Sequence, residues 1–336
     1  MVKKQYAAVD IAKYVSALLV VCIHTFPFID INEMLNTYFI QTICRLAVPF
    51  FFMISGYFLF RKIRNEEEDK DVLKKYLFRL LKIYLIWTVI YLPYTIYNYV
   101  QAQSGWMGIF SYLRDFLLNG SYYHLWFLPA LMTGTLIVYY LYHKKGMLFT
   151  LKIALLLYGI GYLLNIYAPL WEQIPFISFL FSFFTKTMTT ARNGFFFAPI
   201  FIGIGMLLAK TRRIPCRVAQ LAFVISFALL VIEVTLYILT GMMHDLACMY
   251  LSLIPATFFL GNCLLTSKIA YKPSYRSLRE DSLLIYTVHI LFAQPLLSLL
   301  LNAHIVVYFL TIACSQIFAT LVIRYKERVP LLEHLV

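Results

Sequence analysis

Long apolar stretches, separated by short polar ones, make up nearly the whole chain. Stretches without Asp, Glu, Lys or Arg recur along the chain, among them 83–113, 153–171, 194–209, 246–267 and 282–323. A membrane-spanning helix needs about 20 apolar residues, so 282–323, with a polar break at Asn302, is long enough for two crossings. The pattern predicts an all-α, polytopic membrane protein of about ten helices, at roughly 9–29, 37–60, 77–99, 124–142, 150–169, 193–209, 218–240, 246–265, 282–301 and 304–323.

Composition agrees with this pattern, and the placement of charge adds an orientation. Hydrophobic residues make up 62% of the chain and charged residues 13%, about half the charged fraction of a soluble domain. If ten crossings leave both termini in the cytoplasm, the outer connections carry only Arg114, Lys186 and Arg192 as basic residues, as the positive-inside rule requires. The basic segments that would face the cytoplasm are Lys3, Lys4, 61–79, 144–145, 210–217, 268–279 and 324–328.

The net charge of +13 therefore indicates topology and attraction to anionic lipids, with no need of a nucleic-acid partner. We expect a multi-pass protein of the cell membrane, in bacteria the cytoplasmic membrane. One membrane domain over 1–336 would carry a cytoplasmic loop at 61–75 and a cytoplasmic tail at 324–336. Two aromatic-rich outer connections, 100–123 and 170–192, could cover an outward-facing site. The six cysteines show no metal-site spacing, so we predict no disulfide framework and no metal.

Two polar residues in the first predicted helix are expensive in hydrocarbon. Lys13 and His24 are eleven residues apart, which places them within about 20° of one direction and roughly 16 Å apart along the helix. A cation at one end of this stripe and an imidazole at the other suit a long ligand such as the phosphopantetheine arm of an acyl-CoA. Alternatively, Lys13 reaches the headgroups or pairs with Asp10, and His24 is a satisfied interhelical hydrogen-bonder. An acid/base role for His24 is the favoured hypothesis.

The second predicted helix contains Arg45, which cannot be neutralised by deprotonation and needs partners inside the bundle or in a watery cavity. A buried ion pair and a ligand contact are equally compatible with its position. Pro49 and Ser55 would distort this helix and free backbone groups beside a cavity. Glu233 is the one acid deep in a span and could pair with a basic residue.

Other polar residues mark the outer ends and the later spans. His124 and Trp126 stand at the outer start of the fourth span, where tryptophan is also typical of an interfacial belt. Ser282, Tyr286 and His289 follow at spacings of four and three and so share one helical face, which favours a cavity over lipid. For each, hydrogen bonding within the core is the favoured interpretation, and a functional site is the alternative.

A basic cluster precedes the third predicted span. Lys74, Lys75, Arg79 and Lys82 stand within K-K-Y-L-F-R-L-L-K. Such a cluster is usually an inside anchor. It is also well placed to hold the phosphates of a cytoplasmic nucleotide, by charge and donor geometry.

Five short motifs follow one another along nearly the whole chain. They are D-I-A-K with ten residues and then His24 (10–24), R-L-A-V-P-F-F-F-M-I-S-G-Y (45–57), K-K-Y-L-F-R (74–79), H-L-W-F-L (124–128) and S-L-L-I-Y-T-V-H (282–289). In this order, on a ten-helix frame, they resemble the acyltransferase 3 family of integral-membrane O-acyltransferases. The resemblance implies transfer of an acyl group, usually acetyl, from cytoplasmic acyl-CoA to a hydroxyl of an envelope sugar or another extracytoplasmic acceptor.

Within this resemblance, His24 matches the catalytic histidine, Lys13 the basic position associated with the donor, and Arg79 a basic position at the cytoplasmic mouth, beside which Lys75 would bind acyl-CoA. We expect Arg45 to stabilise the oxyanion, with Asp10 and Ser55 as supporting residues. Direct transfer with His24 as general base and a covalent acyl-histidine intermediate are equally compatible with the sequence. His124, Trp126, Ser282, Tyr286 and His289 are candidates for the acceptor side. Acyl-CoA would be a co-substrate, and no permanently bound cofactor is expected.

Two departures from the family pattern shape the alternatives. Lysine replaces the commoner arginine at 13, which loses a bidentate phosphate contact, and no esterase-like domain follows the spans. Membrane serine racemases of vancomycin resistance resemble this chain too, with a soluble racemase domain after the membrane domain, so we expect no racemase activity from these 336 residues. The competing hypothesis is a transporter of a small polar solute such as serine, with Glu233, His24 and His289 as a titratable path.

Overall fold

A computed structural model describes residues 5–64, 67–103, 105–244 and 246–335, and all regular structure in these ranges is helical. The predicted all-α class is thereby confirmed. Lys3 and Lys4, predicted to face the cytoplasm, lie outside the described residues. The helices are α1 Ala7–Thr25, α2 Glu33–Thr42, a 3-10 turn Cys44–Leu46, α3 Ala47–Phe60, α4 Asp69–Gln101, α5 Gly105–Leu118, α6 Phe127–Ile166, α7 Ala168–Trp171, α8 Pro175–Met188, α9 Ala198–Lys210, α10 Cys216–Leu239, α11 Leu253–Thr266, α12 Tyr275–Leu299, α13 His304–Tyr325 and α14 Pro330–Glu333.

Each of the ten predicted ranges overlaps one of these helices. By length and composition, seven helical segments of the described chain can cross a membrane: Ala7–Thr25, Glu33–Phe60, Asp69–Gln101, Phe127–Ile166, Cys216–Leu239, Tyr275–Leu299 and His304–Tyr325. Two apolar helices, α9 and α11, are shorter. The protein is therefore a polytopic membrane protein, while the number of crossings and the side of the termini stay predictions.

Helix α6 contains a reversal at Gly146. This residue has φ 79° and ψ 177°, a conformation that is strained for residues with a Cβ. Before the reversal, a Cβ on Gly134 of α6 would meet Ala198 at the start of α9. After the reversal, α6 first passes Gly203 of α9 and then, at Gly161, comes back to the N-terminal end of α9. The two halves of α6 thus run in opposite directions along α9, as the separate predicted helices 124–142 and 150–169 require.

Four predicted connecting segments differ from the structure. The loop 61–75 is shorter than predicted, because α4 already begins at Asp69. The outer connections 100–123 and 170–192 contain the helices α5 and α8, each of 14 residues. The tail 324–336 contains the short helix α14, and α13 extends into it as far as Tyr325.

The chain forms two compact units, each assembled from separate stretches. Unit 1 comprises the described residues of Met1–Phe51, Arg212–Val234 and Pro255–Val336, and unit 2 those of Phe52–Thr211 and Thr235–Ile254. In unit 1, α1 packs against both α12 and α13, and the 3-10 turn packs against α1. In unit 2, α6 packs against α9 and α4. The candidate residues therefore fall into two groups, which are described separately.

Candidate active site

In unit 1, α1 and α12 bring two histidines together. Ala17 and Val21 of α1 pack against Ile285 of α12, and all three are fully buried. One turn further along each helix stand His24 and His289, whose ring centroids are 5.2 Å apart with planes inclined by 36°. Both residues were predicted as site residues, but a helical wheel assigns a face and not a neighbour, so their meeting was not predicted.

The hydrogen bonds of His289 define its tautomer. Its Nδ1 lies 2.8 Å from the carbonyl oxygen of Tyr286 and 3.1 Å from that of Ile285. Because carbonyl oxygens only accept hydrogen bonds, Nδ1 carries the hydrogen and donates, and Nε2 is the acceptor of the neutral ring. His289 is completely buried, whereas His24 is half-buried. Of the two rings, that of His24 is the more accessible to a substrate.

The predicted face of Ser282, Tyr286 and His289 exists, and all three side chains are buried. The ring centroids of Tyr286 and His289 are 6.5 Å apart. The hydroxyl of Ser282 donates to the carbonyl oxygen of Arg279 at 2.9 Å, inside its own helix. Tyr286 is thus a neighbour of the histidine pair, and Ser282 has a local partner on α12.

The end of α1 that carries His24 is held by a third histidine. Nδ1 of His304 donates to the carbonyl oxygen of Thr25 at 2.8 Å, and the backbone N–H of His304 donates to Oδ2 of Asp30 at 2.6 Å. Helix α1 is terminated by the residue after Thr25, Phe26, which has a left-handed φ of 50°. These contacts fix the residue next to His24. The sequence gives no sign of them, because His304 and Thr25 are far apart along the chain.

The opposite end of α1 is a charged and polar cluster. The carboxyl group of Asp10 is buried and lies within electrostatic range of Lys13 and of Arg279 from α12. Beside it, the hydroxyl of Tyr14 donates to Oε1 of Gln316 at 2.8 Å. The predicted pairing of Lys13 with Asp10 is therefore present as an electrostatic contact. A part for Lys13 in donor binding stays a prediction.

Between its two ends, the stripe from Lys13 to His24 is filled. Ala17 and Val21 lie on that stripe, and Ile285 covers them. A long ligand that ran straight along the stripe would have to displace this packing, which costs about 1.5–3 kcal/mol for each large apolar side chain returned to water. The two ends of α1 are therefore separate places in this structure.

Arg45 lies at an interruption between two helices. The 3-10 turn Cys44–Leu46 separates α2 from α3, and Nε of Arg45 donates to Oε1 of Gln41 at 2.7 Å. Its neighbour Cys44 packs against Cys22 of α1. Two residues along a helix turn by about 200°, so this turn meets α1 on a face nearly opposite to that of His24. The role of Arg45 as oxyanion donor stays a prediction.

In unit 2, the basic cluster surrounds a buried hydroxyl. Lys75 and Arg79 are exposed on α4. Between them, the hydroxyl of Tyr76 forms hydrogen bonds with Ser55 of α3 and Thr135 of α6. Ser55 therefore joins helices in unit 2. Tyr76 stands inside the predicted K-K-Y-L-F-R motif, but a tyrosine in an apolar helix gives no signal of a hydrogen bond.

Two of the predicted acceptor-side residues, His124 and Trp126, also lie in unit 2. His124 is buried, and its ring centroid is 4.8 Å from that of Tyr91 and 5.8 Å from that of Tyr122. The guanidinium of Arg192 stands 4.8 Å from the ring centroid of Trp126, a cation–π distance. These residues form an aromatic cluster with one cation beside it, and Arg192 is the member that sequence reasoning did not select as a site residue.

The pair of His24 and His289 offers the chemistry of two neighbouring imidazole rings. A neutral imidazole can take up a proton and return it near neutral pH, which is the requirement for acid/base catalysis. In the part of the chain that the structure describes, no group of three or more His, Cys, Asp or Glu side chains could hold a metal ion. Helices α1 and α12 thus place two imidazole rings side by side in a polytopic helical membrane protein.

Comparison with known proteins agrees with this class. The chain belongs to the acyltransferase 3 family, since the family's profile, described as an acyltransferase domain, matches residues 6–324. Two relatives from Enterococcus faecalis named amino-acid racemase are 29% identical over 97% of this chain and 30% identical over 83% of it. A serine/alanine racemase from Enterococcus gallinarum is 33% identical over 75% of the chain.

These relatives are longer proteins. The matches cover 47%, 38% and 36% of their lengths, so this chain spans about half or less of the curated relatives it matches. No solved structure matches the chain significantly. The chain is therefore a membrane protein of an acyltransferase family.

Proposed function

We propose that this protein is an O-acyltransferase that moves an acyl group from acyl-CoA to a hydroxyl group of an extracytoplasmic acceptor, with His24 as general base. The observation that carries the proposal is the pair of His24 and His289 on α1 and α12, 5.2 Å apart between ring centroids. Family membership over residues 6–324 supports the reaction class. The pair supplies the proton transfer that such a reaction needs.

One imidazole ring is enough for both proton transfers of the reaction. A ring nitrogen of His24 removes the proton from the acceptor hydroxyl as the oxygen forms a bond with the thioester carbonyl carbon. The tetrahedral intermediate then collapses, the carbon–sulfur bond breaks, and the imidazolium returns the proton to the leaving thiolate of CoA. The products are an oxygen ester and free CoA, and His24 is neutral again. General acid/base assistance of this kind contributes about 10²–10⁴-fold in rate.

His289 would act through His24. With its hydrogen on Nδ1 bound to backbone carbonyls, His289 presents Nε2 as an acceptor, which stabilises the hydrogen-bearing nitrogen of a neighbouring imidazolium. A completely buried ring is shielded from substrate, so His289 is a positioning residue. His304 would add to this by holding the carbonyl oxygen of Thr25, next to His24.

The donor would approach from the predicted cytoplasmic side and the acceptor from the other side. Exposed Lys75 and Arg79 on α4 are cations suited to the phosphates of CoA, and Lys13 stands at the predicted cytoplasmic end of α1. His124 and Trp126, in their aromatic cluster, stay candidates for the acceptor side. Acetyl is the proposed acyl group and an envelope sugar the proposed acceptor class.

Transfer of label from [acetyl-¹⁴C]acetyl-CoA in membranes tests the proposal. His24→Ala is expected to lose about 10²–10⁴-fold of the transfer rate. His334→Ala, at an exposed histidine near the end of the chain, is the matched control and is expected to keep the full rate. Full transfer by His24→Ala would refute the mechanism. The mass shift of envelope glycans on deletion of the gene would identify the acceptor.

The names of the relatives favour a second candidate function. Relatives named amino-acid racemase and serine/alanine racemase match this chain over part of their length, so a membrane domain of this type could carry an amino acid such as serine to a racemase. Counterflow of labelled serine in proteoliposomes without acyl-CoA would support this candidate. The transport function would replace the acyltransferase proposal if two results were found together. The natural chain would show no acyl transfer, and His24→Ala would still take up serine.

A further inference from the structure

Two short helices of unit 2 present their apolar sides outward. Neither α5 nor α8 contains a buried residue. Trp106 and Phe110 of α5 are 81% and 67% exposed, and Phe176 and Phe179 of α8 are 73% and 71% exposed. Exposed aromatic residues in such numbers mark an interaction surface.

The polar groups of the two helices face each other. Nη1 of Arg114 donates to the carbonyl oxygen of Lys186 at 2.6 Å. Oδ1 of Asp115 accepts from the hydroxyl of Thr189 at 2.9 Å, and Nδ2 of Asn119 donates to the carbonyl oxygen of Met188 at 3.0 Å. Arg114 and Asp115 also form an ion pair at 2.9 Å. Polar contacts thus join α5 to α8, and the outward sides consist largely of aromatic and aliphatic groups.

Both helices are too short to cross a bilayer. Each has 14 residues, about 21 Å at 1.5 Å per residue, against a hydrocarbon core of about 30 Å. They also adjoin a spanning helix, because the hydroxyl of Tyr84 on α4 donates to the carbonyl oxygen of Phe116 at 2.6 Å. Helix α4 is itself a candidate membrane span and also exposes apolar side chains, with Val89 66% and Val100 64% exposed. Helices α5 and α8 therefore expose the same kind of surface as this span.

We propose that α5 and α8 are interfacial helices whose apolar sides lie among the acyl chains of one leaflet, the outer leaflet in the predicted orientation. Helices of this kind bury an apolar side at the boundary of headgroups and acyl chains. A contact with a second copy of this chain would require about one hydrogen bond per 100–200 Å², and the outward sides offer few donors or acceptors. The connections 100–123 and 170–192 are thus bilayer contacts, in addition to any role as covers of a site.

Tryptophan quenching in lipid nanodiscs tests this placement. The full chain and Trp106→Phe are reconstituted in phosphatidylcholine with or without bromine in the acyl chains, and the difference in their emission is the Trp106 component. We expect brominated lipid to remove much of this component and iodide in the buffer to leave it nearly unchanged. For α8, Phe179→Trp in the Trp106→Phe background is expected to behave in the same way.

A matched control defines the aqueous result. Lys70→Trp in the same background, at an exposed position in the first turn of α4, is expected to be quenched by iodide and not by brominated lipid. Quenching of Trp106 by iodide as strongly as in this control would overturn the proposal. Protection of Trp106 from both quenchers would also overturn it, since protein would then cover the surface. The Trp106 measurement stands alone if the Phe179→Trp variant does not fold.

Discussion

Replacement of His289 by leucine tests whether His24 works as one of a pair. The side chain of His289 is completely buried, and its Nδ1 donates to backbone carbonyl oxygens of its own helix. A leucine fills similar space, so we expect a loss of about 1 kcal/mol in the free energy of unfolding. A hydrogen bond to a charged group is worth about 1.5–3 kcal/mol. If Nε2 stabilises the imidazolium of His24, the rate falls by roughly 10- to 150-fold, at 1.36 kcal/mol per factor of ten.

The assay is acyl transfer from labelled acetyl-CoA, with kcat and KM measured separately. We expect His289→Leu to lower kcat with little change in the KM for acetyl-CoA, because the interaction would exist only when His24 is protonated. The double variant with His24→Ala is expected to be no slower than His24→Ala alone. Thr287→Val removes a buried hydroxyl of α12 that donates to carbonyl oxygens of its own helix, and it controls for damage to the helix. Additive losses in the double variant would refute the reasoning.

Three further changes test the fold. Burial opposes the ionisation of Asp115, but hydrogen bonds from three side chains hold its pKa below its usual value. The stabilising effect of the ionised Asp115 is therefore complete above the unfolded pKa of about 3.9 and is lost as pH falls through the lower folded pKa. The difference in the free energy of unfolding between the natural chain and Asp115→Asn should therefore shrink in acid. A Cβ on Gly205 would lie 2.1 Å from a backbone oxygen of α3. Gly205→Ala should therefore lower the stability measured by thermal unfolding by about 1–3 kcal/mol or more. Gly159→Ala is the control, because a Cβ there would have nothing within 4 Å, and it should not lower stability. Asn165→Leu removes the acceptor of two backbone N–H groups between α10 and α11, at a cost of about 1–3 kcal/mol each in the same measurement.

The sequence predicts the helices well because hydrocarbon imposes a simple rule on apolar length. Even the reversal in α6 could be anticipated, since Gly146 follows two lysines between two apolar runs. The interruption at Arg45 was predicted only as a distortion of one helix, because a 3-10 turn depends on packing against α1 that no local pattern records. The helices α5 and α8 were missed for another reason: their aromatic residues look alike in a loop and in an interfacial helix.

Helical geometry predicts which candidate residues share a face, but it does not predict the contacts that they make. Helical geometry correctly placed Lys13 and His24 on one face of α1, and it placed Ser282, Tyr286 and His289 on one face of α12. Which helix packs on which face depends on contacts far apart in the chain. For that reason neither the meeting of the histidines nor the filling of the stripe by Ile285 could be deduced from spacing alone.

The difference in burial between the two histidines favours different roles for them in the proposed reaction. Acid/base catalysis requires that one ring reach the proton it transfers, within hydrogen-bond distance or through one water. His24 is half-buried and therefore has ring surface that a substrate can reach, whereas His289 is completely buried and has its Nδ1 hydrogen bound to backbone carbonyls. A buried neutral imidazole with a fixed tautomer is suited to orient a partner and to stabilise it when it gains a proton. If the site catalyses acyl transfer, the substrate therefore meets His24, and His289 affects the reaction only through that ring.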